Sequence, residues 1–314
     1  MIPVFDLHCD TLTKGGAEGL SGDPNLQWDL PRFKQGGGQL QVHAIFTPPK
    51  LRMGDATLFA ISHIGEWERY LRENEVGAVR SQADLEGEGS LSLLALEDGA
   101  PLGGELSMLD FFFELGVRLI TLVWSCDNEV GRGVTGTGPA LTPFGKNLLT
   151  KMENLGVAVD LSHASEGLFW DVLERATKPP LASHSNARAL RDHPRNLTDS
   201  QLIALGKKGG LVGLTFVPAF IGCPPSKEVE WEFALEEGAS QLANHARHIA
   251  DLAGVEILAL GSDFDGTTNP VVGDASGYQE VLLPALDGVG FSRVEVEGIF
   301  HANAHRYLST VLPT

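Results

Sequence analysis

Cysteine is scarce in this sequence: among 314 residues there are three, Cys9, Cys126 and Cys223. None of them forms a Cys-x-x-Cys pair. This argues against a disulfide framework and against a structural zinc site built from cysteines. Cys9 is expected to pack in the core, because successive side chains of a strand alternate faces and its neighbours at 8 and 10 carry polar groups.

Positive charge and long apolar runs are also in short supply. Lys and Arg number 23 against 41 Asp and Glu, giving a formal net charge of -18. This balance argues against a nucleic-acid partner and against an anionic membrane surface. No uncharged stretch is long enough to span a membrane, and no early basic segment leads into an apolar run. The sequence therefore predicts a cytoplasmic protein with no membrane partner.

What the sequence does have is the composition of a large globular domain. Hydrophobic residues make up 43% and charged residues 20% of the chain, which is typical of a soluble protein with a sizeable core. Eight strand-like runs alternate with helical patterns, and no linker separates them. The predicted strands are 3–10, 40–46, 91–96, 117–124, 157–161, 181–184, 210–216 and 257–260. The predicted helices are 58–80, 106–115, 143–155, 167–176, 198–208, 228–253 and 294–308, and residues 14–31 are predicted to form a long loop.

This alternation is typical of an α/β protein with a (β/α)8 barrel, here predicted as a single domain over residues 1–314. The main alternative is an open doubly wound sheet. That fold is disfavoured because no phosphate-binding glycine pattern follows the first strand. The glycines of residues 131–138 also lack the required spacing.

Six residues that can bind metal ions lie at the ends of the predicted strands. They are His8, Asp10, Glu97, His163, His184 and Asp263. Each one alone is compatible with an ordinary buried hydrogen bond, but a closed barrel brings all of these strand ends to one mouth. A catalytic zinc needs three protein ligands and an open position. The set therefore predicts two ions that share a bridging carboxylate and hold a hydroxide for metal-assisted hydrolysis.

Several motifs resemble those of the renal (membrane) dipeptidase-like zinc metallopeptidases, a family of the amidohydrolase superfamily. They run in the family's order from residue 6 to residue 266, which is nearly the whole chain. The matching motifs are Asp6-Leu7-His8-Cys9-Asp10, Glu97-Asp98-Gly99, Asp160-Leu161-Ser162-His163, Ser183-His184-Ser185, Arg195-Asn196-Leu197 and Gly261-Ser262-Asp263-Phe264-Asp265-Gly266. His-x-Asp is shared across the superfamily, whereas the last three motifs are more specific.

The resemblance implies a binuclear zinc site, with two Zn²⁺ bridged by Glu97. His8 and Asp10 would bind one ion, and His163 and His184 the other. A carboxylate bridge would make a modified lysine, the bridge of other superfamily branches, unnecessary.

The resemblance also implies roles for two further residues. Asp263 would lie beside the first zinc, take a proton as the bridging hydroxide attacks and pass it to the leaving amine. Arg195 would hold the C-terminal carboxylate of the substrate in a bidentate pair. Without the resemblance, Arg195 would be interpreted as a surface cation beside Asp192 and Asp199.

The sequence departs from the family at Trp124. Well-studied dipeptidases of the family carry a substrate-contacting histidine there, and the indole ring offers a single N–H donor. Loss of such a donor costs roughly 3–4 kcal/mol where it is used. Trp124 is expected to form an apolar wall for a substrate side chain, with Asn128 supplying a hydrogen bond.

The predicted function is a zinc-dependent dipeptidase, acting on small L-Xaa-L-Xaa and L-Xaa-D-Xaa dipeptides. An alternative is a binuclear amidohydrolase acting on N-acyl amino acids or another small amide. A second alternative is a barrel that binds metal without catalysis, which would predict a broken ligand set. A homodimer is left open, because no exposed apolar stripe can be identified from the sequence.

Overall fold

Parallel strands form a closed barrel at the centre of the molecule. The computed structural model describes residues 1–51, 54–222 and 231–314, with only the backbone of residues 231–234. The strands are β1 (Val4–Cys9), β2 (Gly38–Phe46), β3 (Gly77–Ala78), β4 (Leu91–Glu97), β5 (Val117–Thr121), β6 (Ala158–Asp160), β7 (Leu181–Ala182), β8 (Leu211–Leu214) and β9 (Leu258–Leu260). They follow the order β2-β1-β9-β8-β7-β6-β5-β4, and β2 pairs with β4 to close the barrel.

The closing pair is the longest in the sheet. β2 and β4 stay in parallel register from Leu40 opposite Leu91 to Phe46 opposite Glu97. The two-residue strand β3 pairs only with the beginning of β4 and is not one of the barrel strands. The eight remaining strands confirm the predicted (β/α)8 barrel.

Helices connect the strands and surround the barrel. They are α1 (Thr11–Gly22), α2 (Leu30–Gln35), α3 (Gly54–Asn74), α4 (Leu106–Glu114), α5 (Pro143–Leu155), α6 (Glu166–Arg175), α7 (Asp199–Lys207), α8 (Pro218–Ile221), α9 (Trp231–Ala253), α10 (Leu283–Gly288), α11 (Arg293–Glu297) and α12 (Asn303–Val311). Short 3₁₀ segments lie at Ala83–Glu86, Ala100–Leu102 and Val255–Ile257, and π-helical turns at Tyr278–Leu282 and Gly298–Ala302. The predicted start of the longest helix at residues 228–230 lies outside the described residues, as does Cys223.

The prediction of a long loop over residues 14–31 is wrong. Helix α1 begins directly after Asp10 and is kinked at Gly16, whose φ of 58° only glycine adopts readily. Helix α2 follows, with the Asp29 side chain accepting a hydrogen bond from the Arg32 backbone N–H and proline at the first turn. Glycine suits positions 15 and 19 of α1 because a Cβ there would lie 2.6 Å and 2.8 Å from Leu26 Cδ1.

Three predicted strands extend two or more residues beyond the observed strands at their C-terminal ends. The structure ends β5 at Thr121, β7 at Ala182 and β8 at Leu214, whereas the predictions run to 124, 184 and 216. Two of the extra residues, Trp124 and His184, lie at the mouth of the barrel. The ends of these strands therefore position residues of the candidate site.

Apolar side chains fill the barrel below its mouth. A cluster of buried residues draws from every barrel strand, and Tyr307, Leu308 and Val311 of α12 close it. Because this filling occupies the lower interior, polar side chains converge only at the C-terminal ends of the strands. Cys9 is fully buried in a second cluster, which confirms its predicted place in the core.

No helix in the described part of the chain is both long enough and apolar enough to cross a membrane.

Candidate metal centre and substrate cavity

The six residues predicted from the strand ends meet at the mouth of the barrel. His8 lies at the centre of the first group. Its Nε2 is 3.6 Å from Glu97 Oε2, 3.7 Å from Asp10 Oδ2 and 3.8 Å from Asp263 Oδ1. The ligand atoms of His8, Asp10 and Glu97 all lie within 4.8 Å of one another. That separation suits three ligands around one small cation.

The second group uses the other oxygen of Glu97. Glu97 Oε1 lies 3.0 Å from His163 Nε2 and 3.8 Å from His184 Nε2. The two imidazole Nε2 atoms are 3.0 Å apart. Glu97 therefore presents one oxygen to each group, which is the geometry of a carboxylate that bridges two ions.

Buried polar atoms without partners show that this cluster fits cations. Both ring nitrogens of His8 and Oδ1 of Asp10 are buried and have no hydrogen-bond partner among the described residues. Such atoms are rare in folded proteins unless a ligand satisfies them. Burial, with the nearby positive charges of Arg195 and His8, lowers the pKa of His163 and of His184 well below the usual value. Neutral imidazole and carboxylate are ligands suited to zinc and similar divalent ions.

Unusual backbone conformations aim two of these side chains. His163 has φ of 65° and Asp263 has φ of 63°, in the left-handed region that residues other than glycine rarely occupy. Outliers of this kind cluster at functional sites, where the surrounding structure holds them in place. The hydrogen bond from the Asp263 backbone N–H to the His8 carbonyl, 3.1 Å long, ties the segment after β9 to β1.

Asp263 combines contact with the metal-binding group and access to the cavity. Its side chain is 14% exposed, more than those of His8, Asp10 and Glu97. Burial raises its pKa well above the usual value, and the carboxylates of Asp10 and Glu97 add to this effect while His8 opposes it. A carboxylate with a raised pKa in contact with solvent is suited to accept a proton during a reaction.

Arg195 is buried at the edge of this cluster. It is 6% exposed, its Nη2 donates a 3.2 Å hydrogen bond to the His184 carbonyl, and its Nε has no partner in the described structure. Its guanidinium lies 5.4 Å from the ring centroid of Phe220. The alternative interpretation of Arg195 as a surface cation beside Asp192 and Asp199 is therefore wrong. Asp199 instead accepts a hydrogen bond from His248.

A cavity of about 530 Å³ opens directly above the cluster. This volume lies within the range of small-molecule sites. Its lining residues are Asp10, Thr13, Lys14, Phe46, Glu97, Trp124, Ser125, His163, His193, Arg195, Val217, Phe220, Asp263, Asp265, Gly266 and Thr267. The metal-binding carboxylates and Arg195 thus face the same small space.

Trp124 forms part of the cavity wall. Its ring lies 5.6 Å from the His163 ring at an interplanar angle of 32° and 5.3 Å from the Phe46 ring. These contacts place an apolar surface beside the metal-binding cluster. Trp124 therefore lines the cavity with an apolar surface, and its contact with a substrate side chain stays a prediction.

Asn128 does not lie in this wall, and the structure corrects its assignment. Its amide nitrogen donates to Asp98 Oδ1 and to the Leu122 carbonyl, and its amide oxygen accepts from the backbone N–H groups of Val130 and Gly131. All of its polar atoms are thus used to fold the loop that follows β5. The prediction of a hydrogen bond from Asn128 to the substrate is wrong for this reason.

Sequence reasoning missed His193 and the apolar wall formed by Val217 and Phe220. The His193 ring packs on Phe220 at 4.5 Å, and its Nδ1 accepts a hydrogen bond from the Arg195 backbone N–H at 3.2 Å. The proximity of His193 to Arg195 in the sequence was the available signal. Phe220 lies on α8, distant in sequence from Arg195, so only the fold reveals its role.

Comparisons with known proteins relate the chain to a family of dipeptidases. The family model described as membrane dipeptidase (peptidase family M19) matches residues 1–312. Dipeptidase 3 of Rattus norvegicus is 30% identical over 296 residues, which cover 91% of this chain but 58% of that protein. Dipeptidase tcpJ of Claviceps purpurea is 34% identical, and the match covers 51% of its length. The chain thus spans little more than half the length of these curated relatives.

Two solved structures resemble the whole chain. One, described as dipeptidase AC, a metallopeptidase of family M19, has a TM-score of 0.88 and 30% identity and covers 100% of this chain and 99% of its own. The other is a metallopeptidase from Rhodobacter sphaeroides bound to a phosphinate mimic of the dipeptide L-Ala-D-Ala. It has a TM-score of 0.89 and 29% identity and covers 99% of both chains. The chain belongs to the M19 family of membrane dipeptidases.

Proposed function

We propose that this protein is a dipeptidase that uses two zinc ions, with Glu97 as the bridging ligand. The observation that carries the proposal is the orientation of Glu97. Its Oε2 faces His8 and its Oε1 faces His163, and Glu97 lines the cavity. His8 and Asp10 would hold one ion, and His163 and His184 the other.

The two ions, Asp263 and Arg195 would have separate roles in the reaction. Two divalent ions bound here would supply a hydroxide at neutral pH and polarise the carbonyl of the scissile bond. Asp263, at the cavity edge of the cluster, accepts a proton and donates it to the leaving amine. Arg195 binds the C-terminal carboxylate, because its guanidinium is buried with an unpartnered Nε and lines the cavity.

The substrates we propose are small L-Xaa-L-Xaa and L-Xaa-D-Xaa dipeptides. The Rhodobacter sphaeroides relative binds a mimic of L-Ala-D-Ala, which supports a D residue at the C-terminal position. On this chain, Val217 and Phe220 offer an apolar wall beside Arg195. An apolar wall contacts a side chain without fixing the stereocentre to which it is attached.

The hydrolysis of N-acyl amino acids is a second candidate. It is favoured by the pair of Trp124 and Phe46, whose rings form an apolar wall on the cavity. Lys14 also lines the cavity. Its positive charge would repel the N-terminal ammonium group of a dipeptide. An acyl chain in place of the N-terminal residue would contact this wall without that repulsion.

A panel of substrates that all end in alanine, in the D or the L configuration, separates the two candidates. L-Ala-D-Ala, L-Leu-L-Ala, N-acetyl-Ala and N-octanoyl-Ala would be compared by kcat/KM on one preparation. The dipeptidase proposal predicts that both dipeptides exceed both acylated compounds. A preference for N-octanoyl-Ala would contradict it and support the second candidate.

A further inference from the structure

Asp160 and Ser183 form a buried hydrogen-bonded chain to His184. Ser183 Oγ donates to Asp160 Oδ2 at 2.6 Å and lies 2.8 Å from His184 Nδ1. Asp160 and Ser183 are completely buried and His184 is 1% exposed. Neither Asp160 nor Ser183 lines the cavity, so neither touches a substrate.

The direction of each hydrogen bond in this chain follows from the donors available. Asp160 Oδ1 accepts from the backbone N–H groups of Ser162 and Ser183, and Oδ2 accepts from the hydroxyls of Thr121 and Ser183. An ionised carboxylate only accepts, so the single Ser183 hydroxyl proton points to Asp160. Ser183 Oγ is then an acceptor towards its other two neighbours, the Ser162 hydroxyl at 3.3 Å and His184 Nδ1 at 2.8 Å. The contact with His184 therefore requires the proton of the imidazole to be on Nδ1.

We propose that Asp160, acting through Ser183, is a positioning residue that fixes the tautomer of His184. With the proton held on Nδ1, Nε2 carries a lone pair directed at His163 Nε2 and Glu97 Oε1. That is the state in which an imidazole binds a metal ion. The inference rests on the proposed metal site but not on the identity of the substrate.

The other two histidines of the cluster lack this arrangement. His163 Nδ1 lies 3.1 Å from Ser125 Oγ, which lines the open cavity and has no other side-chain partner in the described structure. His8 has no hydrogen-bond partner on either ring nitrogen among the described residues. His184 is thus the ligand whose tautomer is set by the protein before any ion binds.

Three variants test the hydrogen-bonded chain from Asp160 through Ser183 to His184, which we call the relay. The metal affinity of each variant is measured by competition with a chromophoric chelator. Ser183→Ala removes the contact with His184 and is expected to weaken binding of one of the two ions by about 10–100-fold. Thr121→Val is the matched control. It removes an equally short hydroxyl hydrogen bond to the same Asp160 oxygen, but Thr121 does not touch His184, so a change below about threefold is expected. Equal losses in the two variants, or no loss in Ser183→Ala, would overturn the relay.

Asp160→Asn keeps the shape of the side chain but reverses the direction of its hydrogen bonds with the Thr121 and Ser183 hydroxyls. The two backbone donors keep the amide oxygen at the Oδ1 position, so the NH₂ group faces the Thr121 and Ser183 hydroxyls. Ser183 then accepts from Asn and donates to His184 Nδ1, which moves the imidazole proton to Nε2. Binding of the same ion is expected to weaken by at least as much as in Ser183→Ala.

The tautomer itself can be read in metal-free protein from the ¹⁵N shifts of labelled histidines. The wild-type protein is expected to show a protonated Nδ1 at His184, and Asp160→Asn a protonated Nε2. A protonated Nε2 in the wild type would overturn the inference. Because this measurement needs no bound ion, it decides the relay even if the wild type binds no zinc, a result that would instead refute the proposed metal site.

Discussion

Among single residues, Glu97 connects the two halves of the candidate metal centre. It is 3% exposed, and no other described carboxylate of the cluster faces both His8 and His163. Asp10 belongs to the first group alone. The function of both halves therefore depends on the side chain at position 97.

Replacement of Glu97 tests this dependence. Glu97→Ala should lower kcat/KM by about 10³-fold or more, since the two ions together supply several kcal/mol of transition-state stabilisation. Metal content, measured on the same sample, should fall below two ions per chain. Glu97→Gln keeps the shape but removes the charge, and should lie between Ala and the wild type. Turnover like the wild type in Glu97→Ala would exclude the bridging role.

Arg195→Ala should act on substrates that carry a free C-terminal carboxylate. Truncating one partner of a buried charge pair costs about 3 kcal/mol, or about 100-fold in kcat/KM. The amidated form of the same dipeptide has no carboxylate to bind and should lose far less. Both substrates would be assayed with the wild type, Arg195→Ala and Arg195→Lys. Equal losses for the two substrates would remove Arg195 from carboxylate binding.

Gly266 leaves room for two carboxylates of the cluster. A Cβ at this position would lie 2.1 Å from Asp263 Oδ1 and 2.2 Å from Asp10 Oδ2. Gly266→Ala should therefore displace both side chains and lower kcat by about 100-fold, because small misplacements of reacting groups are costly. Gly22→Ala is a suitable control, since its Cβ would meet nothing within 4 Å. Equal kcat values in the two variants would contradict the claim that a Cβ at position 266 displaces Asp263 and Asp10.

Among the elements, the strand ends are where sequence reasoning succeeded most fully. The motifs around His8, His163 and His184 follow apolar runs, and barrel closure alone brings such ends together. The contact between Asn128 and the loop after β5 was not predictable, since it depends on how residues 122–131 fold. The kinked helix α1 was missed because glycine content outweighs weak helical periodicity in a short segment.

Strand β2 supplies a pH-dependent contribution to stability through His43. Its Nδ1 lies 2.8 Å from Ser92 Oγ, and burial lowers the pKa of His43 to about 3. In the unfolded chain, His43 has the ordinary histidine pKa of about 6.5. Below that pH the unfolded chain therefore binds a proton at His43 more readily than the folded protein does. The stabilisation is complete above pH 6.5 and is lost as the pH falls from about 6.5 towards 3.

Urea unfolding of metal-free protein between pH 7 and pH 4 would measure this effect. The free energy of unfolding of the wild type should fall by a few kcal/mol more than that of His43→Gln over this interval. The candidate metal ligands are common to both proteins, so the difference in the free energy of unfolding isolates His43. Parallel pH profiles would show that His43 does not contribute.

At the scale of the whole molecule, the fold and the meeting of the six strand-end residues could be predicted, but the shape of the cavity could not. Eight apolar runs with polar ends determine a barrel and its mouth. The cavity wall depends on Phe220, which α8 brings from another segment against His193 and Arg195. Such long-range packing leaves no periodic signal in the sequence.

The most direct test of the binuclear site is the metal content per chain of protein purified without chelators, with dipeptide hydrolysis assayed on the same sample. We predict close to two zinc ions per chain and turnover of both L-Ala-L-Ala and L-Ala-D-Ala. Removal of the metal by a chelator should abolish turnover, and added zinc should restore it. A protein that contains no metal and takes up none on reconstitution would contradict the central claim, since the six strand-end residues would then not form a metal site.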